Sequence, residues 1–151
     1  MNFLANLHPL IIHFPIALLT LYVALEIVSQ IFNKKFLINF THVILLVGVI
    51  SGIGAVLTGN LEFQQLTESG KLTLTHIEII SNHEYYATLT LWYFFAILIL
   101  KTYFYLKKKN AGLFNYLFII FALGGFYLII KTAKIGGRLV YEYGIGTNLF
   151  N

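Results

Sequence analysis

The sequence contains no cysteine, only two prolines, one tryptophan and few charges. Without cysteine it forms no disulfide, no thiolate metal site and no Cys-x-x-Cys-His attachment for covalent haem. Charged residues make up 11% of the chain, where soluble domains carry roughly 25%. That is too few to cover a water-facing surface. The N-terminus lacks the basic segment and small-residue cleavage site of a signal peptide, so the first apolar run reads as a retained transmembrane helix.

What is abundant is apolar. Hydrophobic residues make up 58%, with 14 Phe and 10 Tyr suited to lipid-facing and interfacial positions. The mean hydropathy is +0.80. The net charge of +4 is no nucleic-acid signal, because the basic residues cluster at the ends of apolar runs. At 151 residues the chain reads as a single transmembrane domain.

Four runs are long enough to span, since about 20 apolar residues cross a bilayer. They cover 9–31, 36–58, 85–106 and 113–130, leaving a loop at 59–84 and a tail at 131–151. The expected fold is therefore all-α, an up-down bundle of four transmembrane helices with a partly helical loop. Pro9 suits a first helical position, and Pro15 frees the Ile11 carbonyl and kinks the first span. In the long loop, Asn60 caps a short segment that Gly70 ends. Thr75-His76-Ile77-Glu78 reads as a capping box, so the third helix starts near His76, about two turns outside the membrane. In the tail, Gly137 and Gly144 suggest turns.

Lys34 and Lys35 sit in the first connection, and Lys107, Lys108 and Lys109 in the third, with Lys101 close enough to the span end to snorkel. The long second connection holds Glu62, Glu68, Glu78 and Glu84 against Lys71 alone. The positive-inside rule then places both termini and the long loop outside a bacterial cytoplasmic membrane. Lys131, Lys134 and Arg138 argue the other way.

Ionisable residues at membrane depth are functional candidates by default. His13 lies near the outer end of the first span and His83 near the outer end of the third. In an up-down bundle these spans are diagonal partners, so the two imidazoles can offer axial nitrogens to a b-type haem. His8 extends this outer cluster or anchors at the headgroups, and Arg138 clamps a propionate or lipid phosphate or simply marks the headgroup boundary. His76 reads as a solvated loop residue. At the inner end, Glu26 and His42 come to similar depth, as an interfacial pair or as a proton or quinone-headgroup site. Gly48 and Gly52 form a small-xxx-small pair for close helix approach, the alternative being room cleared for a flat ligand.

Three segments together resemble one family. His8-Pro9 through Ala17, His83, and Gly136-Gly137-x-Leu139-Val140-Tyr141 followed by Gly144-x-Gly146 are similar to a bacterial membrane domain catalogued as domain of unknown function 2231. The resemblance implies four transmembrane helices. The family's frequent company with cytochrome-like modules implies a part in haem binding or membrane electron transfer, with His8, His13 and His83 carried over. Where the family often has His before the last Gly-x-Gly, this chain has Tyr143, so any ligand role there is lost.

The leading expectation is a redox-associated membrane protein holding haem b through His13 and His83, passing electrons to a redox partner protein. The alternative is a non-catalytic membrane subunit or scaffold, in an oligomer or complex, that binds a partner protein or lipid. A metal-dependent enzyme built on His76, Glu78, His83 and Glu84 is a third reading.

Overall fold

A computed structural model describes residues 7–32, 34–107 and 112–147, so Lys108 and Lys109 lie outside the described residues. Helices α1 (His8–Ile11), α2 (His13–Phe32), α3 (Lys35–Glu68), α4 (Leu74–Leu106) and α5 (Gly112–Tyr141) account for nearly all of it. Four helical stretches are long and apolar enough to cross a membrane: His8–Phe32, Phe36–Glu68, Leu74–Leu106 and Tyr116–Tyr141. Each helix packs on its neighbour in sequence, and α2 closes the ring against α5. This is the expected up-down bundle, with α2 and α4 on one diagonal.

The first span breaks at Ile12, which separates α1 from α2. Pro15 carries no N–H to bond the Ile11 carbonyl, so the helix must reset at this point. Pro15 itself is buried.

The core is dry through the middle of the bundle. Leu19, Leu45, Val49, Phe94, Ile97 and Ala122 are all nearly or fully buried. Close helix approach makes this possible. A Cβ on Gly48 would sit 2.7 Å from Leu19 Cδ2, and one on Gly52 would sit 3.1 Å from Leu91 Cδ1. Side chains of this chain, not a flat ligand, fill the room those glycines leave.

Three helices are longer than the sequence runs suggest. α3 has 34 residues and α4 has 33, about 50 Å each, against about 30 Å of hydrocarbon. Asn60 does not cap a new segment: α3 runs through it to Glu68, and Gly70, at φ 67°, turns the chain. α5 likewise runs through Gly136 and Gly137, and the turn comes at Gly144, at φ 68°. There the Gly144 N–H donates to the Val140 carbonyl at 3.1 Å and the Ile145 N–H to the Leu139 carbonyl at 2.9 Å. Ile145 is thereby tucked against Ile79, Ile80 and Leu139 in a second apolar cluster, which binds the overrunning helix ends together.

The capping box of α4 is real but sits two residues earlier than the sequence suggests. Thr73 is the N-cap; its Oγ1 accepts from the His76 N–H at 3.3 Å, and its own N–H donates to His76 Nδ1 at 3.3 Å. Thr73→Ala is expected to weaken this end by about 1 kcal/mol. The check is amide hydrogen exchange, which should quicken in the first turn of α4 and not at Phe94.

Candidate functional site

Two imidazoles lie at the bundle end remote from Lys34 and Lys107. His8 opens α1 and His83 lies about two and a half turns into α4. Both are half-buried, and they are close enough to interact electrostatically. Each ring rests on a glycine of another helix. A Cβ on Gly59 of α3 would come within 2.9 Å of His8 Cε1, and one on Gly136 of α5 within 2.9 Å of His83 Cε1. Any side chain at either glycine would claim the place of the ring.

The ring nitrogens are not treated alike. His8 Nδ1 lies 3.0 Å from Thr58 Oγ1. That hydroxyl is also 2.9 Å from the Gly54 carbonyl and 3.1 Å from the Ala55 carbonyl of its own helix. A hydroxyl has one proton; when it goes to a carbonyl, the oxygen accepts from His8 Nδ1–H and leaves the lone pair on Nε2. The His83 ring meets the Thr132 backbone. Its Nδ1 is buried with no hydrogen-bond partner. Leaving a buried acceptor unmade costs about 1–3 kcal/mol. A pair of this kind can give electron density to a Lewis acid or accept a bond from a ligand donor.

The other expected site residues go elsewhere. His13 is exposed on the flank of α2, whereas His8 is half-buried. The physical reason is rotation. Five residues along a helix turn the side chain by about 140°, so His8 and His13 cannot share a face, and the break at Ile12 decides which one points inward. Arg138 is exposed and its Nε donates to Glu142 Oε2 at 3.0 Å, one turn on. His76 caps α4 and meets the edge of Tyr143, ring centroids 5.7 Å apart. Glu78 is exposed. Among the described residues, no three or more His, Cys, Asp or Glu side chains are grouped to hold a metal ion, which removes the basis of the third reading.

Four spans, the histidine end and the glycine-punctuated last helix are thus in place. A family model described as a predicted membrane protein, domain of unknown function 2231, matches residues 4–149. The chain belongs to this family. No curated protein and no solved structure matches it. In this family member Tyr143 packs on the capping residue His76 and against the second apolar cluster.

The opposite end holds what the sequence reading missed. Lys101 does not snorkel. It is buried and paired with the fully buried Glu26, and its Nζ also donates to Thr41 Oγ1 at 3.2 Å. The ammonium lies 5.2 Å from the Tyr22 ring centroid and 5.4 Å from that of Phe118. Glu26 Oε1 accepts from Gln30 Nε2 at 3.2 Å. His42 is not the partner of Glu26; its Nε2 is 3.4 Å from Thr102 Oγ1 and its ring lies beside Tyr105. The pair is therefore enclosed by α2, α3, α4 and α5, with two aromatic faces excluding water from the charge.

Proposed function

We propose that the protein is a redox-associated membrane protein whose ligand centre is the His8–His83 pair. The observation that carries this reading is the buried, unpartnered His83 Nδ1 beside a second imidazole on another helix. In this reading His8 and His83, rather than His13, would be the residues that hold a b-type haem. The surrounding apolar residues would set its potential through low dielectric. The chain's lysine distribution, with Lys34 and Lys107 at the other end, supports an outer position for this centre in a bacterial cytoplasmic membrane. An electron-transfer partner would then meet it there.

The test is the absorption spectrum of protein purified with ample haem, oxidised and then dithionite-reduced. A Soret band with a reduced α band is expected, lost in His8→Ala and in His83→Ala and kept in His13→Ala. A colourless wild-type protein overturns the reading. It leaves the scaffold function, for which the overrunning helix ends would offer the partner-binding surface.

A further inference from the structure

A groove of about 730 Å³ runs between α3 and α4 on the outside of the bundle, on the other side of the helix turns that hold the histidines. Asn60 follows Gly59 and Glu84 follows His83, so the groove and the imidazole centre share the same stretches of backbone. The groove stands on its own observations and does not need the haem reading.

Its polar wall is formed by Asn60, Gln64, Ser81, Glu84 and Thr88. With the Asn60 amide turned so that its nitrogen donates, it bonds the Val56 carbonyl and Glu84 Oε1, each at 3.2 Å. Among the described residues, the side chains of Gln64, Ser81 and Thr88 make no hydrogen bond within the protein. Phe63, Tyr85 and Trp92 supply aromatic surface, and Leu89 and Trp92 lead toward the exposed apolar flank of the bundle.

These features define the occupant. The groove opens on a surface of exposed Leu57, Leu89 and Trp92, so an occupant reaches it from the lipid and carries an apolar tail. No lysine or arginine lines it, and one carboxylate does. A phosphate head would sit there beside a negative charge with no cation. A flat head carrying O–H donors meets aromatic faces and a carboxylate acceptor instead. We propose that the groove binds a membrane-dissolved quinol, with a hydroxyl donated to Glu84 and the ring against Trp92 and Tyr85.

Trp92 is the single tryptophan of the chain, so its fluorescence reports on this groove alone. Protein in nanodiscs is titrated with a benzoquinol bearing a decyl chain. The expected result is saturable quenching. It should weaken by about tenfold or more in Glu84→Gln, which removes a charged acceptor while keeping its shape. Thr88→Phe, which fills the groove, should abolish saturation, and Glu78→Gln, an exposed carboxylate of the same helix outside the groove, should leave the quenching unchanged. Quenching that rises linearly with equal slope in all variants would mean mere partitioning into lipid and would overturn the proposal. Block of the quinol signal by added phosphatidylethanolamine would make the groove a lipid site and equally overturn it.

Discussion

Lys101→Met, made alone, is expected to destabilise the bundle by about 3–5 kcal/mol. The substitution strips Glu26, a side chain with 0% exposure, of its cationic partner in a place that water does not reach. Glu26→Leu should cost a similar amount, because it leaves the Lys101 ammonium with only Thr41 and two aromatic rings. The double variant Glu26→Leu/Lys101→Met should recover most of the loss. Two apolar side chains in that layer avoid desolvating two charges, and such replacements are often neutral or stabilising. Unfolding in mixed detergent micelles, run on the four proteins as a double-mutant cycle, measures the coupling. Additive losses in the double variant would mean that the two charges are not a unit.

A second large effect is expected where a side chain of one helix lies directly on the backbone of another. In Gly125→Ala the new Cβ would lie 2.4 Å from Phe94 Cζ. Phe94 is fully buried, with Tyr22 and Tyr93 set edge-on to its ring at 6.1 and 6.0 Å, so it has no direction in which to withdraw. The expected loss is about 1–3 kcal/mol. Gly54→Ala is the matched control. It is also helical, but no atom lies within 4 Å of its Cβ, so the change should be neutral or stabilising by up to about 1 kcal/mol through helix propensity. The same micelle unfolding distinguishes the two. Equal effects would show that helix propensity, not contact, governs these glycines.

The membrane spans were legible in the sequence because their signal is local: each is a long, predominantly apolar run, and the length needed is fixed by the bilayer. The limits of the helices were less so. Asn60, Gly136 and Gly137 have the composition of a boundary, yet α3 and α5 pass through them because other helices pack alongside. Which way a residue faces was the hardest to read. Lys101, six residues before Lys107, has the same spacing whether it stretches to the headgroups or turns inward to Glu26. His42 and Thr41 are neighbours, and one residue of rotation sends Thr41 to the ion pair and His42 to Thr102. At the other end the sequence grouped His8, His13 and His83, and the fold leaves His13 exposed while half-burying the other two. His8 was within the candidate set, but its hold on Thr58 spans 50 residues and leaves no trace in local spacing.

The unequal helix lengths make the molecule lopsided with respect to the bilayer. At the Lys34 and Lys107 side, α2 ends at Phe32, α3 begins at Lys35 and α4 ends at Leu106, close to the limits of their apolar runs. On the far side α3, α4 and α5 continue as a laced stalk, bound by Ile79, Ile80, Leu139 and Ile145. A soluble protein approaching from one aqueous phase therefore meets helices that end near the limits of their apolar runs. One approaching from the other finds a rigid post whose base is level with the imidazoles.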